Sequence, residues 1–252
     1  MIRILAVGNS FSQDALAYLH DIAQSGGINV LAANLYVGGC SLETHHANML
    51  SQEKAYIFEI NGISTGEIVS LDQALSYDKW DYLTFQQASH DSGLQETLFP
   101  YLSDLISYTD VSSPGSEKLI HQTWAYEPDS DHDAFKRYGN DQFRMYYALM
   151  HAYSVAADKV GLRIIPSGEV IQTLRSLNEF DHYHGGSSLC RDGYHLDLIY
   201  GRYAVSAAWY EILLRKDVRM APFVPVINGI TADESRIAVI RETVHNVCKK
   251  YI

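Results

Sequence analysis

Ile2-Arg3-Ile4-Leu5-Ala6-Val7-Gly8-Asn9-Ser10 is the stretch on which the reading of this chain turns. Ile2 to Val7 is a short apolar run rich in strand formers, the signature of a strand buried on both faces. Gly8-Asn9-Ser10 breaks the run. Residues 14–25 then show helical spacing, with Leu16, Leu19, Ile22 and Ala23 on one side, and Gly26-Gly27 closes them. A strand followed at once by a helix is the first half of a crossover unit in a parallel sheet.

The same alternation continues. Residues 30–37 read as a second strand, closed by Gly38-Gly39. Residues 55–60 and 63–71 read as a hairpin turning at Asn61-Gly62, an insertion in the alternating pattern. Residues 82–86, 118–123 and 162–165 read as strands, and 94–108, 141–160, 169–177, 197–214 and 233–251 as helices. Residues 110–117 and 127–138 are polar loops. The expectation is an α/β protein with a mainly parallel five-stranded sheet, helices on both faces and a small added β-hairpin, in one domain over 1–252. Ligands of such sheets sit at the carboxyl ends of the strands, so the site should lie just after Val7, Val37, Phe85 and Thr123.

Composition narrows the function classes. The 252 residues carry a net charge of -11, which argues against nucleic acid and anionic membrane as partners, since both call for a basic face. Tyr is abundant, at 18 residues, which suits sugar-binding clefts and ordinary cores alike. The three cysteines, Cys40, Cys190 and Cys248, are widely spaced and form neither a disulfide framework nor a metal motif; they read as free thiols. No secretory leader or membrane-spanning stretch is visible, which points to a soluble cytoplasmic protein.

Two short features carry the chemistry. Ser10 stands between the first strand and the first helix, where the positive end of a helix favours a developing negative charge. It also reads as a helix-capping serine, a role Ser12 fits equally. Asp192-Gly193-Tyr194-His195 sets a carboxylate three residues before an imidazole. That spacing lets an Asp hold a His in one tautomer with its other nitrogen free, or describes a capping Asp beside an unrelated His.

Taken together, these features resemble the SGNH (GDSL-like) hydrolase superfamily. Gly8-Asn9-Ser10-Phe11-Ser12 is similar to the Gly-Asp-Ser block that carries its nucleophile, with Asn9 replacing Asp. Asp192-Gly193-Tyr194-His195 is similar to its final Asp-x-x-His block. The resemblance implies a flavodoxin-like three-layer α/β/α sandwich, hydrolysis of carboxylic esters without a cofactor, and Ser10, Asp192 and His195 as catalytic residues. It implies an oxyanion hole from the backbone N–H of Ser10, that of a glycine after the second strand (Gly39, with Gly38 its neighbour) and a side-chain amide. The family's Gly-x-Asn-Asp block is missing, and Phe85-Gln86-Gln87-Ala88-Ser89-His90-Asp91 stands there instead. A Gln amide offers the same donor on a longer arm, so Gln87 takes that place with Gln86 as the other candidate. The paired Gln and the Ser-His-Asp after them look like an uncharacterised bacterial branch of the superfamily, a domain of unknown function.

His90, Trp124 and Tyr126 follow the third and fourth strands and are candidates to line the substrate cleft, as is Gln86; His90 with Asp91 reads equally as a solvated loop pair, and a core or rim role suits Trp124 and Tyr126 somewhat better. His45-His46 and His182 with His184 invite a metal reading, but no carboxylate stands at ligand spacing within either cluster, and surface loops are expected instead. Glu43 near Ser41 reads as helix-start chemistry. The leading reading is an esterase acting on an O-acyl group, acetyl above all, of a carbohydrate. Its competitors are a carbohydrate-binding protein that kept the hydrolase fold and a metal-dependent phosphoesterase.

Overall fold

The computed structural model describes all 252 residues. In chain order it comprises β1 (Ile2–Gly8), α1 (Ser10–Leu16), α2 (Leu19–Ser25), β2 (Val30–Tyr36), α3 (Leu42–Ser51), β3 (Tyr56–Ile60), β4 (Ile63–Val69), α4 (Leu71–Leu75), β5 (Tyr82–Phe85), α5 (Tyr101–Ser112), β6 (Glu117–His121), α6 (Gln142–Val160), β7 (Arg163–Ile165), α7 (Ser167–Arg175), α8 (Tyr200–Leu214) and α9 (Glu234–Cys248). The sheet order is β4-β3-β2-β1-β5-β6-β7. The strands from β2 across to β7 pair in parallel, as expected, and β1 is buried from Ile4 to Gly8 because helices cover both faces. One group of helices, α1, α2, α7, α8 and α9, packs together, and α3, α4 and α5 form another. The chain leaves β1 first to β2 on one side and later to β5 on the other. That switch opens a crevice at the carboxyl ends of β1, β2 and β5.

Three expectations on local structure are corrected. The hairpin is part of the main sheet: β3 pairs antiparallel with β2, and β4 with β3, giving seven strands. Its docking covers what would otherwise be an open edge on β2. The turn is as read, with Asn61 and Gly62 both in the left-handed region. Residues 14–25 are not one helix. The chain breaks between α1 and α2 at Tyr18, whose backbone N–H donates to the Ser206 hydroxyl on α8 rather than to a helical carbonyl. The helix expected over 94–108 starts only after Pro100, which lacks the N–H an earlier turn would use. Only the start of α3 was foreseen, from Glu43 near Ser41, and α4 was not; the polar run around His45 hides the buried stripe of Leu42, His45 and Met49. No helix is long and apolar enough to cross a membrane.

Candidate active site

Ser10 lies just past β1, at the crevice. It is not the helix cap. Asn9 is: its side chain accepts from the N–H of Phe11, and Ser12 accepts from the N–H of Asn9, closing a capping box. Gly8 is required by contact, since a Cβ there would lie 2.2 Å from the Ser12 hydroxyl oxygen. Ser10 is therefore the first helical residue, its hydroxyl free for other work and its N–H without a partner inside the protein.

The structure brings Ser10, His195 and Asp192 into one hydrogen-bonded line. Ser10 Oγ lies 2.9 Å from His195 Nε2, and His195 Nδ1 lies 2.7 Å from Asp192 Oδ2. Asp192 Oδ1 also accepts from the backbone N–H groups of His195 and Tyr194. Burial works to raise the Asp192 pKa, but the hydrogen bonds from the His195 ring and from these two N–H groups outweigh it and hold it below the usual carboxylate range. An ionised Asp192 fixes the proton on Nδ1 and leaves Nε2 as the acceptor facing Ser10. The segment is a turn: Arg191 N–H donates to His195 O, and Cys190 bridges Leu196.

Asp14 locks this turn to the serine. It is fully buried, one helical turn after Ser10 on α1. Its carboxylate accepts from the Leu196 N–H at 2.9 Å, from Arg202 Nε at 2.8 Å and from Arg191. The Trp124 ring stacks on Phe11 at 4.0 Å, and its Nε1 donates to Tyr194 O at 2.8 Å, a second brace between the same two segments. Sequence reasoning missed Asp14, Arg191 and Arg202, because an acid on an amphipathic helix gives no sign that it will be buried.

Gly39 lies in the loop after β2, exposed and in the left-handed region at φ 63°, and its N–H has no partner inside the protein. Asn9 Nδ2 donates to Cys40 O at 3.0 Å and ties this loop to the serine turn.

Gln87 does not fit the role expected of it. Its Nε2 donates to Thr97 O and Oγ1, and its Oε1 accepts from the N–H groups of Leu42 and Ala88. With both amide protons used on Thr97, it has none for an oxyanion. Gln86 is buried beneath Asn9, bonding its side chain and that of His121, and does not line a cleft. Trp124 and Tyr126 are likewise corrected, since both are 0% exposed. Tyr126 bonds Ser89 through its hydroxyl at 2.8 Å and supports the site from behind. His90 is partly exposed, stacked beside His132, while its neighbour Asp91 pairs with Arg137. Burial and the nearby His90 lower the pKa of His132. An open depression of about 470 Å³ adjoins Asp192 and Tyr194 and is lined by Asp129, Asp131, His182 and Arg191.

The histidines that invited a metal reading do not converge on a shared site. His45, expected on a surface loop, is fully buried on α3, where it contacts the Tyr56 hydroxyl at 3.0 Å, and burial lowers its pKa to about 4. His46 pairs with Asp104, and exposed His182 and His184 pair with Asp129 and Asp181. The three cysteines are free and buried, and burial pushes the Cys40 thiol up to about 12.

Comparison with known proteins gives the family and the fold. Residues 3–246 match the family model described as a domain of unknown function, DUF4886. A DUF4886 family protein of Bacteroides uniformis, known from its crystal structure, is 37% identical with a TM-score of 0.89, over 98% of this chain and 94% of that one. A proposed SGNH hydrolase from Slackia heliotrinireducens is 19% identical (TM-score 0.55, 84% of this chain, 98% of that one). An acetyl xylan esterase is 13% identical (TM-score 0.57, 84% and 100%). The last two share the fold with this chain. No curated protein matches the sequence.

Proposed function

Because the chain belongs to the DUF4886 family and has the fold of SGNH (GDSL-like) hydrolases, we propose that it is a serine ester hydrolase working through an acyl-enzyme on Ser10. The observation that carries the reading is the unbroken Ser10–His195–Asp192 line, at 2.9 and 2.7 Å. Ser10 Oγ attacks the ester carbonyl as its proton passes to His195 Nε2. Asp192 stabilises the imidazolium. The imidazolium then protonates the departing alkoxide, and the alcohol leaves. Water, deprotonated by the same nitrogen, attacks the acyl group and returns Ser10.

The oxyanion falls to the backbone N–H groups of Ser10 and Gly39, since the Gln87 amide is engaged elsewhere. Each such donor accounts for roughly 3 kcal/mol of transition-state stabilisation. No cofactor enters this sequence of steps. The substrate class proposed is an O-acyl, above all O-acetyl, ester of a carbohydrate, a reading supported by the acetyl xylan esterases among the proteins of like fold. The competing reading, a sugar-binding protein without catalysis, loses support, because Trp124 and Tyr126 are buried rather than offered for stacking.

The test is hydrolysis of p-nitrophenyl acetate and of acetylated xylo-oligosaccharides. Ser10→Ala and His195→Ala should each lower kcat by about 10³-fold or more. Turnover that survives Ser10→Ala would overturn the proposal.

A further inference from the structure

A chain of buried polar side chains runs under the candidate site. Ser167 Oγ lies 3.0 Å from His121 Nε2, and His121 Nδ1 lies 2.6 Å from Gln86 Oε1. Gln86 Nε2 donates to Asn9 Oδ1 at 2.7 Å, and Asn9 Nδ2 donates to Cys40 O at 3.0 Å. All four side chains are almost fully buried, at 2% exposed or less. The His121 ring is held in place edge-on to Trp209 at 4.9 Å. Neither Ser167 nor His121 belongs to a motif that the sequence analysis tied to catalysis, and the proposed mechanism uses none of the four.

The chain has one allowed direction. Its far end meets two backbone groups that cannot exchange roles: the Phe11 N–H, which needs an acceptor, and the Cys40 carbonyl, which needs a donor. Asn9 must therefore turn its oxygen to Phe11 and its nitrogen to Cys40. Gln86 then has to offer its nitrogen to Asn9, which turns its oxygen toward His121. His121 must carry its proton on Nδ1, and Nε2 accepts from the Ser167 hydroxyl. Each amide in the opposite sense would set oxygen against oxygen or N–H against N–H in a buried place, an arrangement that leaves polar groups unsatisfied. Burial also keeps the imidazole neutral, lowering its pKa to about 3.

We propose that His121, held as the Nδ1–H tautomer, is a positioning residue that acts through Gln86 and Asn9 to hold the Gly39 loop against Ser10. The inference rests on the reading of Ser10 as nucleophile. Its geometry follows from the end of the chain: Asn9 at once caps the helix that begins with Ser10 and grips the carbonyl next to Gly39. Loss of the His121 donor frees Gln86 to rotate, then Asn9, and the loop carrying the oxyanion N–H loosens without any change in the Ser10–His195 contact.

Two measurements test it. In ¹⁵N-labelled wild-type protein, with histidines assigned through the backbone, the His121 ring should show a protonated Nδ1 and an unprotonated Nε2. A protonated Nε2 with bare Nδ1 overturns the proposal and needs no variant. In kinetics, His121→Leu should lower kcat by about tenfold or more with KM within about twofold, and His121→Asn, which keeps a donor near the Nδ1 position, should recover most of the loss. Gln86→Leu cuts the same chain closer to the site and should reproduce the split if His121→Leu fails to fold. A folded variant with wild-type kcat, or equal losses in the Leu and Asn variants, overturns it. Labelling of Ser10 by a fluorophosphonate separates the two readings. A wild type that takes no label removes both, whereas wild type and His121→Leu labelling equally fast removes only this one.

Discussion

Asp14 on α1 accepts a hydrogen bond from the backbone N–H of Leu196, the residue that follows His195, at 2.9 Å. One carboxylate thus joins the helix that presents the serine to the turn that presents the histidine. Breaking a buried ion pair from one side costs about 3–5 kcal/mol, and somewhat less where the partners reach solvent, as Arg191 and Arg202 do. Asp14→Ala should therefore lower unfolding stability by about 3 kcal/mol and reduce kcat in the fraction that remains folded. Chemical denaturation and steady-state kinetics on the same preparation check both effects. Unchanged stability would mean that the pairing contributes little.

Gly39 offers a cleaner separation. A Cβ there would meet nothing within 4 Å, so the penalty for Gly39→Ala is the left-handed backbone alone, about 1–2 kcal/mol. The loop should relieve that strain by turning its N–H away from the oxyanion. The expected result is a fall in kcat of about tenfold or more with a small change in melting temperature. Equal activity would move the oxyanion donor to another group.

Gln87 should behave in the opposite way. Its amide satisfies the buried N–H of Leu42 and holds Thr97, so Gln87→Leu leaves those groups unpaired at a cost of about 1–3 kcal/mol. The folded variant should still react with a fluorophosphonate at close to the wild-type rate. A loss of reactivity of 10²-fold or more, the size expected for an oxyanion donor, would restore Gln87 to that role.

The buried imidazoles make stability depend on pH. His45 and His121 have folded pKa values of about 4 and about 3, below the unfolded value near 6.5. Between those values the unfolded chain binds a proton at each site and the folded one does not. Their contribution is therefore intact above about pH 6.5 and lost as pH falls toward 4 for His45 and toward 3 for His121, at up to about 1.4 kcal/mol per pH unit for each histidine. His121→Asn should flatten the decline in unfolding free energy between pH 6.5 and 4.5 relative to wild type. Parallel curves for the two proteins would contradict the assignment.

The sequence made the scaffold legible where periodicity is local and strong. The apolar run of β1, the Asn61-Gly62 turn and the long stripe of α6 each declare themselves within a few residues. Ser10, Asp192 and His195 were legible because the turn after a first strand and the Asp-x-x-His spacing are short patterns read without knowledge of packing. What stayed hidden depends on tertiary partners. Gln87 and Gln86 carry the same amide, and only the fold shows one bound to Thr97 and the other to His121. Trp124 and Tyr126 follow a strand end just as cleft residues would, yet α1 and the Tyr194 segment cover them. The burial of Asp14 and His121 has no signature in hydropathy, because a polar side chain in the core is specified by the partners that satisfy it.

The central claim is an activated serine at Ser10. Its most direct test is fluorophosphonate labelling of the folded protein, read by intact mass, in wild type and Ser10→Ala. The account predicts a single adduct on wild type and none on the variant. An unlabelled wild type, or an adduct that persists in Ser10→Ala, would contradict it.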